Sequence, residues 1–168
     1  MKRSKILGNT NQDTSTTRKT SRIGCRQVGY KLLAGTCIRL NLRKLSYKTA
    51  RKTCKKDGAR LAMPETEELD LALRNLVQKE GHNINFWIGL RNKGGFFLRK
   101  RHWLWEDGSK LGHYKGWNLG EPNGKRWVHL PEFNLCVRYY WAGRTGDPMW
   151  DDSSCTRKHG FICQASLE

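Results

Sequence analysis

The spacing of apolar positions changes twice along the chain. Residues 1 to 24 hold no aromatic side chain and only Ile6, Leu7 and Ile23 as large apolar groups among many Ser, Thr, Asn, Lys and Arg. Such a stretch buries too little surface to offset its ordering entropy, so a disordered basic tail is expected. From Cys25, apolar and polar residues alternate through CRQVGYKLLAGTCIRL around a glycine-containing turn, as in a β-hairpin whose Cys25 and Cys37 face each other. The spacing then becomes helical. In LSYKTARKTCKKDGARLA, Tyr47, Ala50 and Cys54 share a face, Ser46 is the expected N-cap and Asp57-Gly58 the stop, which predicts a helix over about 46 to 57. PETEELDLALRNLVQKEGH predicts a second helix, with Glu67 and Glu68 at its positive end, Leu69, Leu73, Leu76 and Val77 facing inward, and Gly81 at its close. After residue 82 the helical pattern stops. NFWIGL, HWLWEDGS, NLCVRYYW and GFICQ read as short strands, separated by long connections rich in Gly and Trp. The result is a compact α+β domain whose long loops retain Trp and Cys, which marks them as functional rather than disordered.

Cysteine usage adds a compartment to this picture. The 168 residues suit one domain, and the six cysteines at 25, 37, 54, 136, 155 and 163 are even in number and lack CxxC pairs. A disulfide framework is expected, and with it a secreted or luminal location. Met1 to Leu7 lacks the apolar run of a signal peptide, and no stretch reaches the roughly 20 apolar residues of a membrane span. Leu167-Glu168 reads as a possible cloning remnant closing a C-terminal tail over 165–168, and there is no Asn-x-Ser/Thr acceptor for N-glycosylation.

Charge says more about partners than about fold. Lys and Arg number 32 against 15 Asp and Glu, for a formal charge of +17, which attracts polyanions over long range. Lys48, Arg51, Lys52, Lys55 and Lys56 fall at i, i+3, i+4, i+7 and i+8 on the first helix. They form one basic stripe with no acid between them, a mutual repulsion that solubility alone explains poorly. With the tail and Arg99-Lys100-Arg101, the stripe suggests a surface for bacterial wall polymers, lipopolysaccharide or sulfated glycans. Nucleic acid ranks lower, because no binding motif is present.

The segment Gly120-Glu121-Pro122-Asn123-Gly124 reads first as an ordinary turn. Its neighbours extend that reading. Cys25-x-x-x-Gly29-Tyr30, Cys54, Gly58-Ala59-x-Leu61-Ala62, Trp87-Ile88-Gly89-Leu90, Trp105-x-Asp107-Gly108-Ser109, Glu121-Pro122-Asn123, Cys136, Trp150-Asp151-Asp152-x-x-Cys155 and Cys163 occur in order. Over residues 25 to 164 this set resembles the C-type lectin-like domain, in the Glu-Pro-Asn, six-cysteine form. The resemblance implies two helices flanking small antiparallel sheets, a long calcium-binding loop region, and the disulfides Cys25–Cys37, Cys54–Cys163 and Cys136–Cys155. The second of these closes a loop of about a hundred residues, for which the chain-entropy account gives on the order of 4 kcal/mol.

A sugar site is a separate inference from the fold, because many domains of this kind bind proteins without calcium. The family's ligands flank a cis proline, precede a later cysteine by two residues, and follow a Trp. Glu121 and Asn123 match directly, Asn134 stands where an acid is usual, and Asp151 stands where Asn is usual. The exchange preserves charge: Glu121, Asn123, Asn134, Asp151 and Asp152 still carry three acids and five oxygen-bearing side chains, suited to one calcium ion. The stretch from Asn123 to Cys136 is long, which leaves Glu132 as an alternative to Asn134. Gly124 and Leu135 replace the acids of the family's accessory calcium site, which is therefore expected to be absent. Glu-Pro-Asn, rather than Gln-Pro-Asp, implies mannose-, glucose- or N-acetylglucosamine-type sugars. Each sugar hydroxyl would coordinate the ion and donate to a ligand oxygen, and Asn amides would donate in return. Trp127 and His129 are candidates to stack on a sugar, with loop anchoring an equal alternative for Trp127. The expected function is a calcium-dependent lectin for microbial cell-surface glycans in innate immunity, with a calcium-independent protein- or polyanion-binding domain (heparin, lipopolysaccharide) as the other reading. Five histidines show no zinc spacing, and no nucleophile is paired with a base, so an enzyme is not expected.

Overall fold

The computed structural model describes residues 24–93, 102–124, 135–141 and 146–167. The expected tail up to residue 23, Arg99-Lys100-Arg101, Trp127, His129, Glu132 and Asn134 lie outside these. In chain order the elements are β1 (Lys31–Leu33), β2 (Thr36–Leu45), α1 (Tyr47–Lys56), β3 (Arg60–Leu61), α2 (Glu67–Glu80), β4 (Phe86–Lys93), β5 (His102–Trp105), β6 (Leu135–Tyr140), β7 (Met149–Ser154) and β8 (His159–Ala165).

Both helices form where the apolar spacing predicts them. Tyr47, Ala50 and Cys54 are the buried residues of α1. Ser46 precedes the helix in an extended conformation without capping a backbone N–H; its hydroxyl lies 3.0 Å from that of Thr49. Lys55 and Lys56 suit the negative end of the helix, and Gly58, at φ +69°, supplies the left-handed residue that lets the chain turn away. In α2 the Thr66 hydroxyl accepts from the Leu69 N–H at 3.3 Å, and Glu67, Glu68 and Asp70 occupy the first turn.

Among the described residues the strands form one eight-stranded mixed sheet in the order β1-β2-β8-β4-β6-β7, with β3 also pairing β8 and β5 pairing β4. The final strand runs antiparallel to β2 and parallel to β4, with Phe86 opposite Gly160 and Trp87 opposite Phe161. Gly160 permits that join, since a Cβ there would come within 2.6 Å of the Phe86 ring. β7 is also a strand that the sequence pattern did not reveal, because Met149–Ser154 is mostly polar. β8 runs to Ala165, one residue beyond the expected domain edge; Ala165 pairs with Cys37 and is buried.

Each helix covers its own apolar cluster. Leu69, Leu73 and Val77 of α2 pack with Phe86, Ile88, Val137, Tyr139 and Trp150. Tyr47, Ala50 and Cys54 of α1 pack with Trp87, Phe161 and the buried cysteines. All three disulfides implied by the resemblance are present: Cys25–Cys37, Cys54–Cys163 and Cys136–Cys155. The last ties β6 to the residue just after β7, the strand that carries Asp152.

Candidate metal and carbohydrate site

The antiparallel β6·β7 pair sets Val137 opposite Asp152 and Arg138 opposite Asp151. A loop is docked along the outer edge of β7. The Trp150 N–H donates to the Gly116 carbonyl and the Asn118 N–H to the Trp150 carbonyl, both at 2.9 Å. Gly116 allows this approach, because a Cβ there would lie 2.8 Å from the Trp150 indole. The loop then turns through the Glu121 N–H to the Asn118 carbonyl and enters the cis Glu121-Pro122 peptide. The Asn123 backbone N–H donates to Glu121 Oε2 at 2.9 Å and its amide to Oε1, while the Gly124 N–H reaches Asp152 Oδ1 at 3.2 Å. Four residues singled out from sequence, Glu121, Asn123, Asp151 and Asp152, thus line one cleft of about 470 Å³ together with Asn118 and Arg138.

Charge within the cleft is uneven. Asp152 is 5 % exposed, and its Oδ2 has no hydrogen-bond partner. Burial pushes the Glu121 carboxyl up to about 7; the nearby Asp152 and Asp151 carboxylates add to this against the lowering effect of the Asn123 N–H. Asp151 has its own counter-charge: Arg138 Nη2 and Nε donate to Asp151 Oδ2 at 2.7 and 3.2 Å. Arg138 Nη1 also lies 3.1 Å from His159 Nε2, which must be the acceptor because a guanidinium only donates. Burial, then Arg138, Arg157 and Lys44, lower His159 to about 4, which keeps the ring neutral. Calcium takes roughly six to eight oxygens. Glu121, Asn123 and Asp152 carry oxygens of the right kind, but among the described residues no group of three or more His, Cys, Asp or Glu is arranged to hold a metal.

The sequence profile described as "Lectin C-type domain" matches residues 43–165. The chain belongs to the C-type lectin domain family. C-type lectin BfL-2 of Bungarus fasciatus is 33 % identical over 136 residues, covering 77 % of this chain and 77 % of that protein. A C-type lectin mannose-binding isoform of Notechis scutatus scutatus is 33 % identical over 116 residues, covering 67 % of this chain and 64 % of that protein. The mouse scavenger receptor C-type lectin carbohydrate-recognition domain superposes with a TM-score of 0.69 at 25 % identity, covering 86 % of this chain and all of that one. The C-type lectin domain is a recognition module without catalytic activity.

Two features of this C-type lectin domain escaped the sequence reading. The first is Arg138. Its signal was an isolated cation in an otherwise apolar strand, LCVRYY, but its partner became visible only from the β6·β7 register. The second is Asp70, fully buried on α2, which accepts from Tyr139 Oη at 2.6 Å, Trp150 Nε1 at 2.6 Å and Tyr114 Oη at 2.7 Å, and also pairs with Arg74. It fixes the indole immediately before Asp151-Asp152, and so sets where those acids point. No helix among the described residues is long and apolar enough to cross a membrane.

Proposed function

We propose that this domain is an extracellular, calcium-dependent lectin that takes mannose-, glucose- or N-acetylglucosamine-type sugars of microbial surfaces in the cleft beside Glu121. The observation supporting it is the unpartnered Oδ2 of buried Asp152 in the cleft it shares with Glu121, Asn123 and Asp151. Glu121, Asn123, Asp151 and Asp152 would hold one ion, with Asn134 or Glu132 from the long loop completing the shell. An ion held by these residues would supply a Lewis acid for two adjacent sugar hydroxyls. The protein's own contribution is orientation: Glu121 oxygens accept from a hydroxyl proton, and the Asn123 amide can turn from Glu121 to donate to the sugar. Asp151 contributes only if it exchanges part of its bond to Arg138. One diol on one ion gives roughly millimolar affinity, near −4 kcal/mol, so clustering of domains would be needed for firm attachment. The relative named for mannose binding supports the sugar class.

The Arg138–Asp151 pair favours a second reading, in which the guanidinium replaces the ion and the domain works without calcium. Retention on mannan-agarose decides between them. Elution by EDTA, and failure of Glu121→Gln to bind, are expected; retention unchanged by chelation at physiological salt would sink the calcium mechanism.

A further inference from the structure

We propose that α1 and the groove beside it bind a polyanionic glycan chain, at a site separate from the acidic cleft. The groove, of about 310 Å³, is lined by Tyr47, Lys48, Arg51, Arg91, Asn92 and the Cys136–Cys155 disulfide. Three cations meet there, and only Arg51 has a described ion pair, with the nearly buried carboxylate of Glu106, which also accepts from Tyr47 Oη. Lys48, Arg51 and Arg91 side by side suit the repeated sulfates or carboxylates of a polyanionic chain.

The groove opens onto a wider basic surface. Lys48, Arg51, Lys52, Lys55 and Lys56 are all exposed on α1, and from Lys48 to Lys55 the helix rises roughly 10 Å. Among the described residues no carboxylate pairs with Lys48, Lys52, Lys55 or Lys56. The Tyr47 N–H donates to the Cys155 carbonyl at 3.0 Å, which joins the start of α1 to the turn bearing Arg157 and Lys158. Lys44, just before α1, and Arg157 in this turn both add positive potential at His159, the first residue of β8. The surface lacks what other polyanions would use. None of the exposed large apolar side chains, Val28, Leu32, Leu42, Leu71 and Leu119, lies on α1, and its aromatic Tyr47 is buried. Among the described residues it therefore offers no exposed ring on which a base could stack and no apolar face to enter a membrane.

The test uses the full chain in EDTA at 150 mM NaCl (~8 Å screening length), so that the acidic cleft plays no part. Affinity is measured for a heparin oligosaccharide, for hyaluronan as the carboxylate-only chain, and for duplex DNA of similar length. Lys48→Ser with Arg91→Gln is compared with Lys110→Ser and Lys115→Ser, which remove the same charge from exposed positions elsewhere. The groove variant is expected to bind heparin at least tenfold more weakly, and the control less than twofold; hyaluronan ranking with heparin would assign the groove to carboxylates, and hyaluronan ranking far below it to sulfates. Equal losses in both variants, or DNA binding as tightly and with the same sensitivity, would overturn the proposal in favour of bulk charge. Should the Arg91 change impair folding by circular dichroism, Lys48→Ser with Lys52→Ser, both exposed, gives the same reading. Glu121→Gln is expected to leave heparin binding unaltered, so failure of the calcium proposal would not mimic failure of this one.

Discussion

Two buried aspartates, Asp70 on α2 and Asp152 on β7, are surrounded in opposite ways. Asp70 receives protons from two phenols and an indole and faces Arg74 as well. Asp152 has a single N–H on one oxygen, nothing on the other, and a second acid beside it. Equal burial therefore does not mean equal purpose. A carboxylate whose lone pairs are filled by its own chain holds the fold together, whereas one left half-satisfied costs stability until something positive arrives. The two are linked through Trp150, whose indole is bonded to the first aspartate and whose next residues are Asp151 and Asp152.

Mutation should separate the two kinds of acid. Asp70→Ala strands Arg74, two hydroxyls and an indole N–H, and a loss of about 3–5 kcal/mol in urea unfolding is expected with or without calcium; a loss under about 1 kcal/mol would mean that Asp70 does not hold the fold together. Arg138→Gln leaves Asp151 without its counter-charge. It should cost about 2 kcal/mol in EDTA, of which added calcium restores a part in a thermal melt. Asp152→Asn should leave stability in EDTA nearly unchanged or improved, yet weaken calcium binding by at least tenfold, about 1.4 kcal/mol, in a calorimetric titration. The smallest effect concerns His159. Its pKa falls from 6.5 to about 4 on folding, so the unfolded chain binds the extra proton between those values and stability is lost as pH drops from 6.5 toward 4. After solvent screening this amounts to on the order of 1 kcal/mol. Stability measured across that window should decline less in His159→Gln, and an unchanged slope would remove the histidine from the account.

How much of this was legible in the sequence depended on distance along the chain. α1 and α2 were readable because Tyr47, Ala50 and Cys54, or Leu69, Leu73 and Val77, repeat within one or two turns. Cysteine partners and the convergence of Glu121 with Asp152 came through resemblance, since no local pattern relates residues that far apart. The order of strands did not: whether Gly160 lies against Phe86 depends on the absence of one Cβ in a partner some seventy residues away. Asp70 looked like one more acid in the first turn of a helix, because the Tyr139 and Trp150 side chains that bury it are 69 and 80 residues downstream. For Arg138 the strand was correctly expected, but its opposite residue lay on a strand too polar to be recognised.

The β2·β8 pairing also settles how the molecule can be tethered. Cys37 is bonded to Cys25 near the first described residue and lies opposite Ala165 near the last, so the two ends of the described domain meet at one pole. From there β8 runs back seven residues, roughly 20 Å, to His159, which touches Arg138 at the acidic cleft. A bead, a surface or a neighbouring subunit joined at either end would therefore carry the cleft facing outward. Immobilisation through Ser166 or Leu167, unlike random coupling through the lysines of α1, would leave the cleft and α1 open to solution.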